Sequence, residues 1–142
     1  MEWGTDLIRS CKPFRYGFLF LLAVLGCGRD DKLLTPVQGR VFYHGKPLAG
    51  GTIVFTPDIE RGGRGPLAFG EIDAEGRYWL QTGEQAGVVA GWYRVTIAAP
   101  EPGQTLTTPL IDLPRKYGDP EQSGLLREIP AGKGGAQDFY LE

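Results

Sequence analysis

The chain is poor in the residues that carry most metal and covalent chemistry. Its 142 residues include one histidine and two cysteines. Those counts leave too little material for a His-rich metal site or a disulfide framework. Basic charge is not in excess either. Fifteen Lys and Arg against seventeen Asp and Glu give a net charge of −2, so nothing suggests a nucleic-acid-binding surface. No HExxH, GxSxG, Walker A or CxxC pattern occurs, which leaves hydrolase and nucleotide-binding readings without their signatures. A membrane-spanning run is also missing. The apolar stretch Tyr16 to Gly26 has eleven residues. As a helix it would be roughly 16 Å long, about half of a ~30 Å hydrocarbon core.

The chain does hold 22 Gly, 11 Pro and 42% hydrophobic residues. That is enough apolar material for one packed domain of this length. Gly and Pro together stay below the share that marks a low-complexity chain.

The apolar stretch sits behind Arg9, Lys12 and Arg15, which Glu2 and Asp6 partly offset. Positive charge followed by a short greasy run has the pattern of a secretory signal peptide. A buried core helix is the alternative, and the position at the N-terminus argues against it. The run ends at Val24-Leu25-Gly26-Cys27, which resembles the lipobox of bacterial lipoproteins. That resemblance implies lipidation of Cys27 and its exposure as a new N-terminus. Gly26 supplies the small residue before the thiol, while Leu25 departs from the small residue usual at its place. Cys11 would leave with the leader. Ordinary secretion would instead strand Cys27 as an unpaired thiol in an oxidising compartment.

Two or more acyl chains give stable anchoring where one gives marginal binding. The diacylglyceryl group implied here meets that condition. Removing residues 1–26 takes away three basic and two acidic residues, so the remainder has 12 basic and 15 acidic residues and a net charge of −3. The acyl anchor, not net charge, would then hold the protein on the membrane.

Residues 27–36 read as the lipidated cysteine and a short tether, and residues 37–142 as one β domain. Short runs rich in Val, Ile, Thr, Tyr, Phe and Trp are broken by Gly and Pro. They predict strands at Val37–Tyr43, Gly51–Thr56, Leu67–Ile72, Arg77–Thr82, Trp92–Ala98, Leu125–Ile129 and Gln137–Leu141. No sustained 3.6-residue period appears after residue 36, so no long helix is expected. The pattern favours an all-β sandwich.

Alternation assigns the faces. Tyr78 and Leu80 share one face, as do Tyr93, Val95 and Ile97. Ile53 with Phe55 and Phe139 with Leu141 complete the expected core. A one-residue slip would turn all of them outward. Two turns stand out. Gly45, in His44-Gly45-Lys46-Pro47, is free to take positive φ. Asp73-Ala74-Glu75-Gly76 reads as a hairpin turn, with Asp73 capping backbone N–H groups and Gly76 in the left-handed position.

The order Val37-x-Gly39-x-Val41, Gly45-Lys46-Pro47-Leu48-x-Gly50-Gly51-x-Ile53-x-Phe55, Asp73-x-x-Gly76-x-Tyr78-x-Leu80 and Gly91-x-Tyr93-x-Val95-x-Ile97 resembles carboxypeptidase regulatory-like domains. The tail from Leu113-Pro114 through Tyr117 and Asp119-Pro120 to Asp138-Phe139-x-Leu141 looks like the small single-domain lipoproteins of planctomycete bacteria. The resemblance implies a seven-stranded, transthyretin-like Greek-key β-sandwich behind a signal-peptide helix. It also implies a non-catalytic accessory or structural module with no assigned ligand and no cofactor, facing the periplasm or exterior.

Candidate sites are few. His44, the single histidine, sits in a turn with no nucleophile beside it in the sequence, so it reads as a turn residue rather than a catalytic base. An enzyme would have to work through His44 or a carboxylate. Asp58, Asp73 and Glu75 are candidate Ca²⁺ ligands but lack EF-hand spacing, and Asp73 reads first as a cap. Trp79, Trp92 and Phe42 are expected on faces turned away from the core. There they would either stack on sugar rings of a cell-wall glycan or cover sheet edges and loops. The expected partners are membrane lipid through Cys27 and an envelope protein or glycan, with no nucleic acid. The segment Ala99–Asp112 is too broken by proline for regular structure, and Tyr117 is expected to pin the segment after it.

Overall fold

The computed structural model describes residues 33–103 and 110–142. Residues 1–32, including Val24, Leu25, Gly26 and Cys27 of the expected lipobox, lie outside the described residues, as does the middle of the 99–112 segment.

The described chain is predominantly β. Its strands are β1 (Val37–Tyr43), β2 (Lys46–Pro47), β3 (Thr52–Pro57), β4 (Ala68–Glu71), β5 (Arg77–Trp79), β6 (Gln81–Thr82), β7 (Gln85–Ala86), β8 (Gly91–Ala98), β9 (Leu125–Ile129), β10 (Gly135–Ala136) and β11 (Phe139–Leu141). Helical structure among the described residues is limited to short 3₁₀ turns at Ile59–Arg61 and Arg115–Gly118, and no helix there is long and apolar enough to cross a membrane. Each of the seven runs read from the alternation carries strand. The two-residue strands β2, β7 and β10 are additions: β2 and β7 fold back on β1 and β6 through tight turns, and β10 is defined by pairing with the distant β1.

The strands form two sheets. In the first, β1 lies between β5 and β2 on one flank, both antiparallel, and β10 and β11 on the other, both parallel. The second sheet has the order β7-β6-β4-β3-β8-β9 and is antiparallel throughout. The expected inward residues meet between them. Tyr78, Leu80, Phe139, Leu141, Ile53, Phe55, Tyr93, Val95 and Ile97 are each at most 2% exposed. Phe139 of the first sheet meets Phe55 of the second edge-on, with ring centroids 6.0 Å apart at 84°. Burial of side chains this size is worth about 1.5–3 kcal/mol each.

The run Arg77–Thr82 is not one strand. It divides at Leu80, whose N–H donates to Val37 O at 3.0 Å and whose carbonyl accepts from Gly87 N–H at 2.9 Å. β5 therefore belongs to the first sheet and β6 to the second. A residue whose two backbone groups serve different sheets is a corner, and packed sheets are often joined by strands that switch between them.

The Asp73–Gly76 turn differs from the hairpin expectation for a similar reason. Its local chemistry is as read: Asp73 Oδ1 accepts from Glu75 N–H and Arg77 N–H, both at 2.9 Å, and Gly76 has φ 77°. Yet the strands it joins are not paired. β4 bonds to β3 and β6, while β5 bonds to β1, so the turn hands the chain from one sheet to the other. Hairpins with two-residue loops occur instead at β6–β7 and at β1–β2. In β1–β2, His44 at φ 49° and Gly45 at φ 76° form the loop, the geometry of a type I′ turn.

The chain joins the sandwich at Thr35, two residues earlier than read. Thr35 is buried and exchanges hydrogen bonds with Val88 at 2.7 and 2.9 Å, and its hydroxyl accepts from Gly132 N–H at 3.0 Å. Tyr117 is buried too. Its hydroxyl lies 3.0 Å from both backbone groups of Glu142 and ties its segment to the end of β11.

Candidate functional site

The outward face of the first sheet carries the most chemistry available to a partner. β1 alternates, with Val37 and Val41 buried and Gln38 and Arg40 exposed. Cross-strand register then builds rows on the outer side. Gln38 lies opposite Trp79, Arg40 opposite Arg77, and Phe42 between Pro47 and Tyr140.

Trp79 is 55% exposed. Its indole N–H donates to Gln38 Oε1 at 2.9 Å, and the Arg77 guanidinium carbon lies 5.9 Å from its ring centroid. The indole is thus held in one orientation with much of its surface open to solvent. It stands between two clefts. One, of about 280 Å³, is lined by Gln38, Arg40, Arg77, Trp79 and Asp138. The other, of about 640 Å³, runs from Trp79 and Gln38 toward Pro36, Ala86 and Lys133. Arg77 is committed, since its guanidinium bonds to Asp73 Oδ2 at 3.0 Å and Glu75 Oε2 at 3.3 Å.

Phe42 lies on this same face, half-buried and stacked on Tyr140, with centroids 5.0 Å apart at 5°. Tyr140 is 71% exposed. Trp92 is elsewhere. It is half-buried on the outer side of β8, opposite Glu128 in the second sheet, and its carbonyl accepts from Asp58 N–H at 2.8 Å. The structure therefore brings Trp79 and Phe42 to one face and places Trp92 across the sandwich from them. Tyr140 was legible as an outward residue from the alternation Phe139-Tyr140-Leu141. Gln38 was not, because its indole contact joins residues 41 apart in sequence.

The candidate Ca²⁺ carboxylates are spent on local structure. Asp73 and Glu75 hold the turn and Arg77. Asp58 lies apart from them. Its side chain is 1% exposed, caps the Ile59–Arg61 turn through Glu60 N–H at 3.1 Å, and pairs with Arg61 Nη1 at 2.8 Å and Arg94 Nε at 3.3 Å. Arg94 continues to Glu60 at 2.8 Å and to Glu121. Among the described residues no group of three or more His, Cys, Asp or Glu is placed to hold a metal ion. His44 packs its ring on Tyr43, with centroids 4.2 Å apart.

Burial alone would raise the Asp58 pKa. Hydrogen bonds from Arg61 and Arg94, with their charges, outweigh it and hold the carboxyl below its ordinary 3.8. A carboxylate with a lowered folded pKa stabilises the fold fully above its unfolded value, and that contribution is lost as pH falls through the folded one. The melting temperature is expected to stay level from pH 7 to about 4 on this account and then fall. In Asp58→Asn the difference from wild type should shrink below pH 4, as read by thermal melts across that range. A difference that stays constant down to pH 2 would contradict the assignment.

No family model, no curated protein and no solved structure matches the chain.

Proposed function

We propose that this chain is a lipoprotein of the cell envelope, anchored through an acylated Cys27, whose β-sandwich works outside the cytoplasm as a structural or interaction module rather than as a catalyst. In this reading the domain is of the carboxypeptidase regulatory-like, seven-stranded Greek-key type. The parallel pairing of the first long strand with the last, and the repeated crossing between sheets, support that architecture. The observation that carries the functional reading is the outer face of the first sheet. There a fixed, half-exposed indole and a stacked Phe42–Tyr140 pair lie beside arginines, and the acidic groups once open as ligands are engaged in caps and ion pairs.

The anchor is tested by growing cells with a clickable fatty acid. The wild type should take up label, and Cys27→Ala should not. Equal labelling of both, or of neither, removes the anchored reading.

A second reading, glycan binding, is favoured specifically by Trp79. Aromatic faces bind ligand rings through their π-surface, and a half-exposed indole held by a hydrogen bond loses little freedom when it does so. Titration with soluble peptidoglycan fragments should then produce a saturable change in tryptophan fluorescence that Trp79→Ala abolishes and Trp92→Ala leaves intact. No saturable change in the wild type removes this reading.

A further inference from the structure

Strand register gives the sandwich two distinct ends. Val37 pairs with Gly135, Pro57 with Tyr93, Gly91 with Ile129 and Phe55 with Ala68. The segment 33–36 and the loops 58–67, 87–90 and 130–134 therefore share one end, stitched together by Thr35, Val88 and Gly132. The β1–β2 hairpin, the Asp73–Gly76 turn and the C-terminus occupy the other.

The first end is apolar at its surface. Six large hydrophobic side chains are exposed among the described residues, and three of them, Leu33 at 83%, Ile59 at 83% and Leu67 at 50%, are here. Ile59 and Leu67 flank a cleft of about 490 Å³ formed with Thr56, Pro57, Arg64 and Gly65. Gly65 sits against Val89, next to the Val88–Thr35 bridge. Single exposed hydrophobic residues need no explanation, but clustered ones mark contact surfaces.

Charge at this end is mixed, since Glu128 is exposed and forms no ion pair among the described residues, but the cleft between Ile59 and Leu67 is lined by Arg64 and by no acid. Glu60 is held by Arg94, and Asp58 by Arg61 and Arg94. Arg64 and Lys133 are exposed, and neither forms an ion pair among the described residues. The protein as a whole carries net negative charge. Two unpaired cations beside exposed Leu and Ile are complementary to an anionic, amphipathic surface.

The chain also limits the distance. Five residues lie between Cys27 and Leu33, and the six Cα–Cα steps across them reach at most about 22 Å. An acyl group on Cys27 would hold this end within that distance of the bilayer. We infer that the end bearing Leu33, Ile59 and Leu67 with Arg64 and Lys133 docks on an anionic lipid surface, as a second membrane contact beside the acyl chain. The inference deepens the anchored reading above and rests on it.

The test uses the full chain as cells process it, with an environment-sensitive dye placed through Ile59→Cys, Leu67→Cys or, at the far end, Ala74→Cys. All three sites are exposed, so the fold should tolerate the labels. Mass spectrometry reports whether Cys27 carries an acyl group. The protein is then mixed with vesicles of phosphatidylcholine and phosphatidylglycerol that contain a nitroxide-headgroup lipid. Dye at positions 59 and 67 should shift to the blue and be quenched, while dye at 74 should do neither. Arg64→Glu with Lys133→Glu should reduce the quenching at 59. An acylated, vesicle-bound protein with all three dyes unquenched overturns the inference but leaves the anchor standing. A blue shift at 59 and 67 without vesicles also overturns it, in favour of a second copy of the chain. A chain with no acyl group that fails to float with the vesicles removes both readings.

Discussion

Gly39→Ala should lower the stability of the sandwich by about 3 kcal/mol or more, the upper range for forcing atoms into a packed site with loss of a hydrogen bond. Gly39 lies in the middle of β1, with no unusual φ to explain it. The reason is close approach. A Cβ there would stand 2.0 Å from Gln137 O and 2.9 Å from the Tyr78 hydroxyl. Backbone oxygen cannot move aside like a side-chain tip. Gln137 is also fixed from its other side, since its N–H donates to Gln38 O at 2.7 Å. The Tyr78 hydroxyl donates to that same Gln137 carbonyl, and burial pushes its pKa well above the ordinary 10.0, so it remains a donor across the physiological range. One added methyl thus separates β1 from β10 and β11 and breaks a buried hydrogen bond together. The melting temperature should drop by roughly 10–20 °C for a domain of this size. Gly118→Ala is the control, because a Cβ there meets nothing within 4 Å. If Gly39→Ala melts within a degree or two of the wild type, the packing assigned to β1 is wrong.

Phe139→Ala should cost about 3–5 kcal/mol, the usual loss for deleting a buried ring. Phe139 is 1% exposed and joins the two sheets. It meets Phe55 edge-on, lies 6.3 Å from the Tyr78 ring, and is covered by the Arg127 guanidinium at 4.3 Å. Arg127 also donates to Leu126 O at 2.8 Å and to Asp138 O at 3.0 Å, so it spans the gap between the edges of β9 and β11. Removing the ring empties the core and takes away the surface on which Arg127 rests. Phe139→Leu, which keeps most of the volume, should lose much less. Urea unfolding of both variants measures the difference, and equal losses would mean that the ring's contacts are not what stabilises the site.

The candidate site was legible in unequal parts. Trp79 was readable as an outward residue because Tyr78 and Leu80 alternate around it. Phe42 was readable in the same way against Val41. The separation of Trp92 from Trp79 was not, because alternation tells which side of its own strand a residue faces but not which sheet the strand joins. The split at Leu80 was hidden for the same reason. Arg77–Thr82 has the composition of one strand, and only the competing demands of Val37 and Gly87 for the Leu80 backbone divide it. The carboxylates show the opposite case. Asp73 was read as a cap from four consecutive residues, and its hydrogen bonds are those the local sequence implies.

Period-two alternation and turn chemistry determined from sequence alone that the chain is β-rich, which side chains are buried, and how the His44–Gly45 and Asp73–Gly76 segments turn, because those features depend on neighbours a few residues away. The tertiary structure decided which strands pair, which aromatic residues share a face, and which loops gather where the chain arrives. Those outcomes depend on backbone hydrogen bonds between residues tens of positions apart, such as Thr35 with Val88 and Gln38 with Gln137. They are chosen by the packing of two whole sheets against each other, which no local run of residues encodes.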